Sequence, residues 1–211
     1  MADPVTTERK GARDRVADAV AGWRRDLGYA HDRNSAEIAR LRRIGLRDDG
    51  TMIDTGAAIA VDAWRSLYQR IANLVDTLEP PEGLPWRWES KALRDRANSG
   101  FDTHLALAAG VLAHVKTDTG GNLGGKLRDR NYSELRFRRL LRLETDADLL
   151  REGRRLVRML DGDVPVASFA RALLFWDARE TRALARGYYN AELFRASASP
   201  TQNNNIEDVA Q

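Results

Sequence analysis

At 211 residues, 43% of them apolar, the chain can bury the core of one large domain or two small lobes, which excludes disorder as its overall state. It has no cysteine, ruling out disulfides and cysteine-ligated zinc, and neither the opening MADPVTTERKGARDR nor any later run has the apolar length of a signal peptide or membrane span, so a soluble cytoplasmic protein is expected. Net charge is +3, and only four of the 34 basic side chains are lysine; guanidiniums present a planar fork suited to phosphate, although a GC-rich genome produces the same bias.

In chain order, apolar residues at Ala12, Val16, Val20, Trp23 and Leu27 predict a first helix over Glu8 to Leu27, capped by Thr6 or Thr7. Asn34 followed by Glu37 is a capping-box pattern for a second helix to about Ile44, with Ile38 and Leu41 inward and Gly45 as its stop. At 100° per residue Arg40 and Arg43, with Arg47 if the helix turn continues that far, project away from that apolar pair as a candidate phosphate-facing stripe while Arg42 lies to the side. After a loop from Arg47 to Thr55, Ala60, Trp64, Leu67, Ile71, Leu74 and Leu78 write a long core helix that Pro80-Pro81 ends. The proline- and tryptophan-bearing stretch Glu79 to Asn98 reads as a connection followed by a short charged helix. Phe101, Leu105, Ala108, Leu112 and Val115 trace a buried helix with Ser99 or Asp102 as its cap.

The stretch Thr117 to Leu143 joins a glycine turn to a helix from Ser133. Between Gly120 and Arg142 seven basic residues face two acids, Asp129 and Glu134, a polyanion-binding signature. Phe137, Leu140 and Leu141 centre the buried side. Arg138, Arg139 and Arg142 take the opposite sector with no acid among them, and Arg136 lies at the buried edge as a brace. Asp146 to Leu160 is a helix with Leu149, Leu156, Val157 and Leu160 on one side and Arg151, Arg154, Arg155 and Arg158 on the other, where nearby acids suggest ordinary pairing. Gly162 closes it, Pro165 opens the next helix, with Phe169, Leu173 and Trp176 inward, and a last helix runs from about Arg179 to Arg195. The tail SASASPTQNNNIEDVAQ is polar and reads as disordered. No useful period-two run occurs, so the expectation is an all-α, two-lobed bundle of about eight to nine helices: an N-terminal lobe 1–98, a C-terminal lobe 99–195 and a tail 196–211.

GGNLGGK has the letters of a phosphate-binding P-loop, but Leu127 replaces the magnesium-binding hydroxyl and the preceding segment reads as helical, so a flexible turn is expected, with Lys126 and Arg128 near any phosphate. His104 and His114 fall on different faces and His31 is remote, so no metal set, cofactor or catalytic constellation is expected. A stand-alone helical DNA-binding regulator is disfavoured because Leu27 to Arg33 exceeds a helix-turn-helix turn; a scaffold for acidic partner proteins is the other alternative.

The order SAEIARLRRIG, FDTHLALAAGVLAHVKTD, GGNLGGKLRDRNYSELRFRRLLRL, REGRRLVRML and PVASFARALLFWD resembles the CasB family, the small subunit of the type I-E CRISPR surveillance complex Cascade, from about Trp23 to Phe194. Pro80 to Arg96 departs from the family pattern and the polar tail extends it. The resemblance implies a non-catalytic helical protein whose two copies pack head to tail between the guide-RNA backbone subunits and the large subunit, steadying the guide–target hybrid and the displaced strand. By motif match the implied nucleic-acid positions are Arg40, Arg42 and Arg43, Lys126 and Arg128, and Arg136, Arg138, Arg139 and Arg142.

Overall fold

The computed structural model describes residues 11–29, 31–47, 50, 52–75, 77 and 99–190. The expected connection Glu79 to Asn98 with its lobe boundary, the Thr6 or Thr7 cap, the last turn towards Arg195 and the polar tail all lie outside the described residues. Within them the fold is all-α, built from ten helices: α1 (Ala12–Tyr29), α2 (His31–Arg42), α3 (Thr55–Ile59), α4 (Asp62–Val75), α5 (Ser99–Leu112), α6 (Leu123–Asp129), α7 (Glu134–Leu140), α8 (Asp146–Met159), α9 (Val166–Leu174) and α10 (Ala178–Tyr189).

The core is arranged around α5. Every residue from Leu105 to Ala113 is buried, the all-round apolar pattern of a helix with no solvent face, and α2, α3, α4, α8 and α9 all pack on it. Helix α1 lies across α4 and α9, burying Val16, Val20, Trp23 and Leu27. The Trp23 indole donates to Ala63 O at 2.9 Å, so this large side chain is buried without stranding its N–H.

Several boundaries differ from expectation. Helix α2 begins at His31, one residue after α1, so Asn34 is internal to it and not its cap. The long third helix divides: α3 is capped by the Asp54 side chain, which accepts from Ala57 N at 3.0 Å, and α4 begins anew at Asp62. The segment before the glycine turn is extended where a helix was expected. Thr117–Asp118 (β1) pairs in parallel with Asp163–Val164 (β2), matching Thr117 to Asp163 and Asp118 to Val164. Asp118 Oδ1 also accepts from Val166 N at 3.0 Å and Gly120 N at 3.0 Å, tying the start of α9 to the turn.

The turn is not a loose connector. Gly120 and Gly121 have φ of 62° and 81°, left-handed backbone that glycine adopts without penalty, and Asn122 then caps α6 through Gly125 N. Beyond it Gly124 is buried where α6 crosses α10, so this glycine permits close helix approach.

Candidate nucleic-acid interface

Phe137 and Leu140 anchor α7: Phe137 stacks on Tyr188 of α10 at 3.9 Å between centroids, with rings 8° from parallel. Burying that stripe turns Arg136, Arg138 and Arg139 outward, all three exposed. Arg138 does not stand among cations alone, because Glu134 one turn earlier accepts from it at 2.6 Å. Arg136 is not the buried-edge brace that periodicity suggested. With Arg139 it lines a cavity of about 260 Å³ between α7 and α8, whose other side carries Glu152 and Arg155. Glu152 is occupied: Tyr132 Oη donates to it at 2.9 Å, and Arg155 stands 3.8 Å away. Burial raises the Tyr132 phenol above its ordinary range, reinforced by the Glu152 carboxylate, so it remains a neutral donor. Among the described residues neither Arg136, Arg139 nor Arg142 has an ion-pair partner, and the groove is left cationic.

At the other side of α8 the arginines brace helix ends. Arg42 Nε donates to Ala113 O at 2.9 Å, Arg24 to Leu112 O and Val115 O, and Arg154 to Arg42 O and Ile44 O. These guanidiniums occupy the carbonyl ends of α2 and α5, where unpaired C=O groups and the helix dipole favour a cation. Arg154, placed on the solvent side by periodicity, is half-buried, and burial lowers its pKa and that of Arg24. Arg40 pairs with Glu37 at 2.7 Å, and Glu37 also receives Ala63 N, so the middle of α2 is committed internally despite the short α1–α2 link. Arg43 is exposed, with no ion pair among the described residues. At the glycine turn Lys126 is half-buried, and the Arg128 guanidinium lies 5.6 Å from the Tyr188 ring centroid, a cation–π placement. Leu127, where a P-loop needs a hydroxyl, is fully buried.

His114 sits beneath the α2–α8 cluster. Burial, then Arg154 and Arg42, push its pKa from 6.5 to about 4, although a hydrogen bond with the Arg42 backbone opposes the shift. The native ring is therefore neutral at pH 5, whereas an unfolded histidine takes up a proton. Stability is expected to be complete above pH 6.5 and to fall by about 2 to 3 kcal/mol towards pH 4. Urea unfolding at pH 7, 5.5 and 4.5 checks this. A His114→Phe chain should lose that slope, and a wild-type slope unchanged by the substitution would remove histidine as its source.

Helix α8 thus separates two of the expected clusters. Arg154 reaches the Arg40–Arg43 end of α2, its neighbour Arg155 completes the groove with Arg136 and Arg139, and Lys126 and Arg128 lie on α6. Spacing read Arg155 as paired with Glu152, three residues earlier, and the two do lie 3.8 Å apart; the Tyr132 hydroxyl that also engages Glu152 is a long-range contact that spacing does not show.

A family model for CRISPR-associated protein Cse2 matches residues 37–189, well over half of the chain. The chain belongs to the Cse2 family. Cse2 is the CasB small subunit of type I-E Cascade, a structural and non-catalytic component, so the motif resemblance and the family match name the same proteins. The Cse2 match opens inside α2 at Glu37 and closes with α10 at Tyr189, taking in every cationic residue described above except Arg24. No match arises among curated proteins or solved structures. Among the described residues no group of three or more His, Asp or Glu side chains is placed to hold a metal ion, and no helix is long and apolar enough to cross a membrane.

Proposed function

We propose that this Cse2 chain works within Cascade by holding nucleic-acid backbone, steadying the guide RNA–target DNA hybrid and the displaced strand. The observation that carries the reading is the convergence of Arg136 and Arg139 on one groove where, among the described residues, the lining acid Glu152 is already engaged by Arg155 and Tyr132. Guanidiniums so arranged attract phosphates regardless of sequence, and base pairing with the guide supplies recognition. Strand exchange in an R-loop is nearly balanced, so a few added backbone contacts tip it. Arg142 and Arg43 extend the cationic surface, while Arg42 contributes chiefly by fixing the α2–α5 junction. In this reading a second copy packs head to tail with the first, beside the guide-RNA backbone subunits and the large subunit.

The test is target retention by the assembled complex. Arg136→Glu, Arg139→Glu and Arg142→Glu together should speed target release at least tenfold at physiological salt while guide RNA still co-purifies in normal amount. Mutant and wild type should converge as salt rises. Retention unchanged at low salt by this triple reversal would overturn the assignment.

A further inference from the structure

Helix α10 carries a second cationic feature that periodicity did not single out. Arg179, Arg182, Arg186 and Tyr189 recur at i, i+3, i+7 and i+10, which places them within about 80° of one another, and all four are exposed. The helix's one acid, Glu180, points away and is buried against Arg13 and Arg171. Among the described residues the three stripe arginines have no ion-pair partner. Arg179 and Arg186 form one wall of an open groove of about 950 Å³. Lys126 and the backbone of Gly120, Gly121 and Asn122 form the other, and Asp129 is its acid.

The stripe ends in an aromatic ring. Tyr189 is 49% exposed yet packed on its inner side: it meets Phe137 edge-on at 5.8 Å and Tyr188 edge-on at 5.2 Å, and its hydroxyl lies 3.4 Å from Glu134 Oε1. Arg138 pairs with that same carboxylate, removing the charge that would repel a phosphate, and Leu135 beside it is 63% exposed. A row of guanidiniums without ion-pair partners among the described residues, leading to a half-exposed ring packed against Phe137 and Tyr188, combines the two elements by which proteins hold single strands: a cationic track for the backbone and a flat face for a base. A duplex, with its bases stacked inside, offers that ring no partner.

We infer that the α10 stripe with Lys126 is a track for an unpaired nucleic-acid strand, on which Tyr189 stacks a base. The inference rests on the proposed function for its ligand, the displaced strand, and adds a second site for it, the residues of that site and the stacking of a base. It is tested with the full-length chain and a fluorescent oligothymidylate, a blunt duplex of equal length and an RNA–DNA hybrid, each titrated across a salt series. Arg179→Gln, Arg182→Gln and Arg186→Gln together should lower the single-strand salt slope by about 2, the loss of three phosphate contacts. Tyr189→Ala should weaken single-strand binding about fivefold to hundredfold, Tyr189→Phe should restore it, and duplex binding should not move. Equal loss on duplex, or no loss from either variant, overturns the inference. If only Arg136→Glu, Arg139→Glu and Arg142→Glu weaken binding, the track is wrong and the α7–α8 reading stands. Wild type that binds neither single strand nor hybrid brings down both. Variants that bind strands normally but no longer assemble into Cascade would make the stripe a protein contact and also overturn the inference.

Discussion

Gly124→Ala is expected to destabilise the fold by about 3 kcal/mol or more, through overpacking at a contact between two backbones. A Cβ built at Gly124 would overlap the Leu184 carbonyl and lie 2.6 Å from Tyr188 N and 3.0 Å from Gly187 C. Those atoms belong to the backbone of α10, so no rotamer change relieves the clash; the helices must part. Parting them disturbs the Phe137–Tyr188 stack and the Tyr188 hydroxyl bond to Tyr132 O, and with these the platform under α7. For a chain of this size the unfolding midpoint should fall by about 6 to 12 °C, read by circular dichroism. Gly125→Ala is the control. Its Cβ would meet only Gly187 O, at an ordinary 3.8 Å, and alanine is the better helix former, so its midpoint should stay or rise. If Gly124→Ala melts with wild type, the close crossing of α6 and α10 is not what Gly124 serves.

That crossing also shows where sequence reasoning stops. GGNLGGK signals backbone freedom, but one-dimensional spacing cannot say whether a glycine bends the chain, as Gly120 and Gly121 do, or admits a neighbouring helix, as Gly124 does. The amphipathic faces were legible because a core-facing helix repeats its apolar residues every three to four positions: α1, α5, α8 and α9 bury most of the residues that spacing selects, while Ala12 and Trp176 are only partly buried. Short α3 was not, since five residues hold too little periodicity and its cap, Asp54, looks like any loop aspartate. For the site, outward projection of Arg139 and Arg142 was readable from helix angle alone. The fates of Arg42 and Arg154 were not: each binds a carbonyl more than seventy residues away. Arginines at helix ends and arginines facing solvent carry the same letter, and only tertiary contacts separate them.

Removal of the Glu180 carboxylate should be the costliest change to the charged interior. Glu180 is 5% exposed and receives Arg13 at 3.2 Å and Arg171 at 2.7 and 3.0 Å; Arg171 also pairs with Asp14, and Arg13 with Asp177 at 2.8 Å. This network clips the start of α1 to α9 and to the N-terminus of α10. Glu180→Ala leaves Arg13 paired with Asp177 and Arg171 paired with Asp14 in a poorly solvated place, a loss of about 3 kcal/mol. Glu180→Gln keeps the shape and part of the hydrogen bonding and should lose less. Acid should reproduce part of the effect. Burial favours protonation of Asp177, but the Arg13 bond and the amides of Glu180 and Arg179 outweigh it and hold its pKa below the ordinary value. An unfolded Asp177 therefore takes up its proton first as pH falls, so its stabilisation is present above the ordinary aspartate range and disappears as pH drops through the depressed native value. In Arg13→Ala that acid dependence should shrink, because the principal partner holding the shift is gone. The network also sets the direction of the α10 stripe: fixing Glu180 inward is what leaves Arg179, Arg182 and Arg186 outward. A chain carrying Glu180→Gln that stays folded should consequently keep its salt-dependent strand binding, whereas Glu180→Ala should lose stability and strand binding together. Strand binding that survives while α1 and α10 separate would place the cationic track elsewhere.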